Sequence, residues 1–354
     1  MTRRTVALLF GGRSGEHEVS LRSAASVSTG LAPRHQVLPV LVDKNGRWLL
    51  QDGSAPGALG GTPVFLVPSP DDAGRLRRLS DASVAAAPDI FFPVLHGTFG
   101  EDGTVQGLFD LAAVPYVGSG VAASAAAMDK ELMKALFARA DIPQGAYRVL
   151  RGRDPEAESA ALHSLGLPVF VKPANLGSSV AVSKVKIAGD LGRALDLALG
   201  YDRKAVIEAA VDCREVEVSV LGNDTPEASV PGEIIPDREF YDYDSKYSAE
   251  SRTELRIPAV LDEDTAGRMR DLAVRAFRAV DACGYARVDF FLERKTGRPL
   301  VNEINTIPGF TSISMFPKLW EATGLPYADL LDRLLALGLD RHGQRGRLKT
   351  SYEA

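Results

Sequence analysis

LVNEINTIPGFTSIS, residues 300–314, is the stretch on which the fold turns. Side chains two apart on a strand point to one face. Glu303 and Asn305 therefore project together from an apolar run that Pro308 and Gly309 end. Upstream, ARVDFFLE (286–293) alternates in the same way, with Arg287 and Asp289 on one face. Paired as neighbouring strands, the two runs would bring Asp289, Glu303 and Asn305 together. Two carboxylates and a carboxamide are hard oxygen donors that suit Mg²⁺, which keeps water and takes phosphate oxygens as further ligands. The same spacing also fits the solvated face of an edge strand. The apolar flanks favour a buried strand, and such strands seldom carry unpaired acids.

Working outward, PVFVKP (168–173) reads as a short strand that delivers Lys172 to a loop holding Gly177, Ser178 and Ser179. Small residues let backbone N–H groups approach an anion, and a lysine adds positive charge. This is not G-x-x-x-x-G-K-[ST], and a glycine hairpin with an exposed lysine would look alike. EFYDYDSKYS (239–248) reads as a long loop, either a lid that excludes water or an amphipathic surface loop. GGRSGEHEVS (11–20) follows the first strand, TVALLF (5–10), where parallel sheets bind ligands beyond their strand ends. Its glycines permit close approach, Glu16 would suit an ammonium group, and the G-x-G-x-x-G pattern is missing. LHGTFGEDGTVQG (95–107) ends another strand and brings His96 toward the same crevice, although a lone histidine is more often structural.

Helical spacing is expected over 17–31, 129–140 and 262–283, and a strand over 35–43. Strand, helix, strand at the start marks a parallel sheet. Residues 44–87 are rich in Gly, Pro, Asp and Ala and read as an insertion with short hairpins. From Arg341 the chain turns polar and is expected to fray. With 354 residues, two or three domains are expected. With a net charge of −5, no global basic balance points to nucleic acid or an anionic membrane as the main partner. There is no run of about 20 apolar residues, the short apolar run of MTRRTVALLFGG is expected to be a first strand instead of a secretory leader, and Cys213 and Cys283 are too isolated for a disulfide framework or a CxxC pair. A cytoplasmic protein is expected.

Together, GGRSGEHEVS, HGTFGEDGTVQG, MDK (128–130), KPANLGSSV, YDYDSKY, ARVDFF and NEINTIPGFTSIS resemble, in family order, the D-alanine–D-alanine ligases of the ATP-grasp superfamily. The resemblance runs from Val6 to about Leu335. It implies an α/β ATP-grasp fold of three domains: a parallel-sheet domain over 1–125, then two α+β domains, 126–210 and 211–354, that clasp ATP. It also implies that Lys130 and Lys172 contact the phosphates under the Gly177–Ser178–Ser179 loop, while Glu208 and Glu215 border adenine and ribose. Asp289, Glu303 and Asn305 would hold two Mg²⁺ ions, with Mn²⁺ an alternative. Glu16 would bind the ammonium of the first D-alanine in a triad with Ser178 and Tyr247, with His96 near that substrate's carboxylate. Arg287 and the Gly309 N–H would stabilise the oxyanion. Ser314 and Met315 would receive the second D-alanine, near Lys246.

The implied reaction is ligation of two D-alanines to D-alanyl-D-alanine through an acyl phosphate, releasing ADP and phosphate for peptidoglycan synthesis, by a homodimer. D-Alanine–D-lactate ligation, or another carboxylate–amine ligation on this fold, is the alternative. Lys246-Tyr247 resembles the dipeptide-forming type, and Tyr247→Phe is expected to raise depsipeptide formation. Intact metal ligands argue against a non-catalytic nucleotide-binding module, and the missing glycine fingerprint against a dehydrogenase. One departure is EAAVDCR (208–214), where relatives have a longer side chain after the Glu and a Gly in place of Cys213.

Overall fold

A computed structural model describes residues 2–177, 180–236, 253–349 and 351–352. The chain opens with β1 (Thr5–Gly11), α1 (His17–Leu31) and β2 (Gln36–Val42), the two strands parallel. Val19, Ala24, Val27 and Leu31 form the buried face of α1, as their spacing predicts. The turn between β1 and α1 depends on Gly11: its φ is +89°, and a Cβ there would lie 2.3 Å from the Val42 carbonyl oxygen.

Next come β3 (Trp48–Leu50), β4 (Thr62–Leu66), β5 (Leu76–Arg78), β6 (Val84–Ala86) and β7 (Ile90–Pro93). The sheet order is β6-β5-β4-β3-β2-β1-β7, with β7 parallel to β1. The insertion read as irregular with hairpins thus forms four antiparallel strands that widen the same sheet. Its alternation was hidden by Gly and Pro between very short strands.

Three helices follow: α2 (Thr104–Leu111), α3 (Val121–Met128) and α4 (Lys130–Arg139). Asp129 stands between the last two and caps α4, accepting from the N–H groups of Glu131 and Leu132. A second, antiparallel sheet contains β8 (Tyr147–Leu150), β9 (Val169–Pro173), β10 (Ser183–Val185) and β11 (Ala205–Ala209) in the order β10-β9-β11-β8, covered by α5 (Pro155–Leu165) and α6 (Leu191–Leu199).

The third sheet is also antiparallel and holds the longest strands. It contains β12 (Cys213–Gly222), β13 (Glu227–Ala228), β14 (Gly232–Ile235), β15 (Glu254–Arg256), β16 (Gly284–Glu293) and β17 (Pro299–Asn305). The order is β15-β14-β12-β16-β17, and α7 (Glu263–Ala279) packs on one face through Met269, Leu272, Ala273 and Ala276. Pairing β16 with β17 is what the opening stretch required. A register shift falls between Asp289 and Phe290, beside the Asp289–Glu303 pair.

The chain ends in α8 (Met315–Ala322) and α9 (Tyr327–Gly346). The expected fraying from Arg341 is wrong: α9 continues to Gly346. Leu330, Leu331, Leu334 and Leu335 of α9 share one core with Val6, Leu8 and Phe10 of β1, so this helix returns to the first sheet. Arg341 is buried with its guanidinium 4.0 Å over the Tyr116 ring. A polar sequence concealed this because the long arginine stem packs while the head stacks on an aromatic face.

Candidate active site

Two cavities share a wall. The larger, about 1090 Å³, lies between the second and third sheets. The smaller, about 180 Å³, lies beneath the loop after β17. Gly177, Glu215, Ile234, Phe291, Asn302 and Glu303 line both.

In the larger cavity, Lys172 at the end of β9 is buried and pairs with Glu208 on β11 at 2.6 Å. Lys134 of α4 pairs with the other Glu208 oxygen at 2.8 Å. Burial works against the Glu208 carboxylate, but the two ammonium groups outweigh it and hold its pKa at about 2. Burial also disfavours charge on Lys172, yet Glu208 and Glu303 raise its pKa. Lys130, at the first position of α4, is lowered by burial, with Glu303 opposing. It donates to the Leu176 carbonyl at 2.8 Å, tying the glycine loop down, and lies 3.9 Å from Glu303. At the hinge, the Ala209 and Ala210 N–H groups donate to the Ala146 and Pro168 carbonyls. Short side chains there leave backbone and the Cys213 thiol along the cavity rim, and burial pushes that thiol up to about 12.

In the smaller cavity, Asp289 and Glu303 are direct cross-strand partners, as are Arg287 and Asn305. Arg287 grips Asp289 with two bonds, Nε to Oδ1 at 2.6 Å and Nη2 to Oδ2 at 2.7 Å. Its Nε also lies 3.0 Å from Glu217 on β12. Burial opposes the charge, but Asp289 and Glu217 raise the Arg287 pKa well above its ordinary value. Asn305 donates its amide N–H to Asp289 at 3.0 Å, which leaves its carbonyl oxygen for a cation. The donor set thus fits a hard divalent ion: two carboxylates and a carboxamide oxygen on two adjacent strands. No group of three or more His, Cys, Asp or Glu is arranged for a metal among the described residues.

Glu16 precedes α1 and is pressed from two sides by glycines. A Cβ on Gly97 would lie 2.8 Å from its Oε2, and one on Gly177 would lie 2.7 Å from it. Only hydrogen at both positions leaves room for that carboxylate. Ser14 steadies it, donating to the His96 carbonyl at 2.7 Å while accepting from the Glu16 N–H at 3.1 Å.

His96 is buried, with both ring nitrogens committed. A carbonyl can only accept, so Nδ1–H donates to the Ile307 oxygen at 2.9 Å, and Nε2 then accepts from Ser23 at 2.9 Å. Ser23 in turn accepts from the Phe310 N–H. Burial lowers the His96 pKa, consistent with this neutral tautomer. The histidine therefore braces the Pro308–Gly309 loop. Ser314 precedes α8, but its Oγ accepts from the Thr311 N–H at 2.9 Å instead of capping the helix. Met315 is buried against Ile234 and Leu319. The expected Ser178, Ser179, Lys246 and Tyr247 lie outside the described residues, as does the 239–248 loop.

Three acidic or basic groups went unremarked in the sequence. Glu101 sits inside the quoted 95–107 stretch, and burial followed by Glu16 raises its pKa to about 8. Glu217 is two residues beyond Glu215 on the same strand face, and Lys134 is one helical turn beyond Lys130. Period-2 and i,i+4 spacing from residues already singled out would have found the last two.

The family models for the D-Ala D-Ala ligase N-terminus and C-terminus match residues 5–119 and 136–336. The chain belongs to the D-alanine–D-alanine ligase family. The D-alanine–D-alanine ligase of Heliobacterium modesticaldum is 50% identical, covering 99% of this chain and 98% of the relative. D-Alanine–D-alanine ligase A of Bradyrhizobium diazoefficiens is 49% identical, covering 98% of each. Among solved structures, the D-alanine–D-alanine ligase of Coxiella burnetii superposes with a TM-score of 0.87 at 36% identity, covering 98% of this chain and 97% of that one. The VanG D-Ala:D-Ser ligase of Enterococcus faecalis gives 0.83 at 32%, covering 95% and 100%. This D-alanine–D-alanine ligase family member accordingly has the ATP-grasp fold that its motifs implied.

Proposed function

We propose that this chain joins two D-alanine molecules to D-alanyl-D-alanine, consuming ATP and releasing ADP and phosphate, for peptidoglycan precursor synthesis. The observation that carries this is the shared wall. The lysine-bearing cavity, suited to a nucleotide's phosphates, meets the acidic cavity, suited to ammonium groups, at Gly177 and Glu303. ATP would occupy the larger cavity with its phosphates toward Lys130 and Lys172, and Glu215 beside the ribose. Glu208, committed to its two lysines, would act on the nucleotide through them.

Asp289, Glu303 and the Asn305 carbonyl would hold Mg²⁺. When bound, it offsets the repulsion between the γ-phosphate and the substrate carboxylate. Glu16 would hold the ammonium of the first D-alanine, directing its carboxylate at the γ-phosphate. That transfer makes an acyl phosphate, which the amine of the second D-alanine attacks. Arg287 and the Gly309 N–H would stabilise the resulting oxyanion, with the loop braced by His96 and Ser23. Ser314 and Met315 would border the second D-alanine. Ser178, Tyr247 and Lys246 complete the proposed set from the sequence.

We take 1–125, 126–210 and 211–354 as the three domains, a cytoplasmic site of action and a homodimer, the last checked by sedimentation. No helix among the described residues is long and apolar enough to cross a membrane. The deciding test is ADP release by the purified protein with ATP and Mg²⁺, with and without D-alanine, and the product identified by mass. D-Alanine-dependent release with dipeptide formed is expected. Turnover only with D-serine, D-lactate or another acceptor would overturn the second substrate, and absence of nucleotide binding would overturn the site.

A further inference from the structure

Lys134 does not line either cavity, yet its ammonium group ends inside the wall of the larger one. It is almost fully enclosed, at 2% side-chain exposure. Burying an ammonium group is costly, and such groups persist where a specific charge holds them. Here that charge is the far oxygen of Glu208, with the Tyr147 ring 5.2 Å from the ammonium nitrogen. Glu208 faces the cavity with its other oxygen 2.6 Å from Lys172. The three groups form a line: a lysine behind the wall, a carboxylate in it, and a lysine at the nucleotide's side.

We propose that Lys134 is a positioning residue for nucleotide binding: it neutralises Glu208 from behind, so that Lys172 presents uncompensated charge to the phosphates. This rests on the larger cavity being the ATP site. Two ammonium groups around one carboxylate leave one net positive charge at the cavity face. Without Lys134, Lys172 and Glu208 would form a neutral buried pair. An incoming phosphate would then have to break that pair, or face the carboxylate behind it. Lys134 and Lys130 leave α4 one turn apart, so one helix supplies a lysine on each side of the wall.

The test is ATP and adenosine affinity by calorimetry in wild type, Lys134→Met, Lys134→Gln, Lys134→Arg and Lys134→Met with Glu208→Gln. Lys134→Met should weaken ATP roughly tenfold or more, the scale of one charge-assisted contact, and leave adenosine unchanged. Lys134→Gln keeps a hydrogen-bonding group without the charge and should lose ATP to the same degree, which covers a Met variant that fails to fold. Lys134→Arg should stay near wild type. Adding Glu208→Gln should restore much of the ATP affinity, because the charge that masks Lys172 is then gone. Equal loss of ATP and adenosine, unaltered ATP binding in both neutral variants, or no recovery in the double variant would overturn the proposal. Failure of the underlying site assignment reads differently: wild type would not bind ATP, or Lys172→Met would bind it normally.

Discussion

Among the described residues, six basic and five acidic side chains line the larger cavity, whereas six acidic side chains and one arginine line the smaller. In the larger cavity Glu208 is divided between Lys172 and, behind the wall, Lys134. The smaller concentrates Glu16, Glu101, Glu215, Glu217, Asp289 and Glu303 around Arg287. Carboxylates at that density attract cations. One cavity therefore suits an anion and the other suits metal ions and ammonium groups. They meet at Glu303, where the chemistry needs both.

The largest expected effect comes from removing the lone guanidinium from the acidic cavity. Arg287→Met should lower kcat by roughly 10²–10³-fold, the scale of one oxyanion donor. ADP release under saturating substrates measures it, and a loss below tenfold would mean that Arg287 merely neutralises Asp289 and Glu217.

Gly177→Ala probes the shared wall. Its Cβ would lie 2.7 Å from Glu16 Oε2, so the carboxylate must move. KM for D-alanine should rise roughly 10–100-fold, as for a misplacement near 1 Å, with KM for ATP moving less. The reverse ranking in initial-rate data would assign this loop to the nucleotide alone.

Glu101 tests how acid crowding is tolerated. Its pKa rises from an ordinary 4.5 to about 8, chiefly through burial, so the folded chain holds a proton that the unfolded chain has released. Stability should fall as pH rises from about 4.5 through about 8, by at most about 1.4 kcal/mol per pH unit. In Glu101→Gln this slope should be shallower when urea unfolding is followed between about pH 5 and pH 8. An unchanged slope would mean that Glu101 is already ionised in the fold.

The smallest effect lies away from both cavities. Arg153 bonds Glu158 and Asp196 at an exposed site, with 44% of its side chain accessible. Arg153→Ala should leave the thermal unfolding midpoint nearly unshifted and turnover unchanged. A larger shift would show that surface pairs also support the cavity walls.

Alternation in 286–293 and 300–305 exposes Arg287, Asp289, Glu303 and Asn305, because period 2 is local to a strand. Helix α1 falls on residues 17–31 as its apolar spacing predicts. The insertion strands were blurred, being only three to five residues long. His96 was visible as a residue, but its task of bracing the loop through Ser23 was not, since Ser23 and Phe310 are 287 positions apart.

By itself, the sequence determined the family, the order of elements and the residue types that carry the chemistry, because motif and periodicity are short-range properties. Only the tertiary structure decided the register that sets Asp289 opposite Glu303, the two glycines closing on Glu16, the lysine behind Glu208 and the return of α9 to the first sheet. Each depends on distances between segments remote along the chain, which local pattern does not encode and packing alone selects.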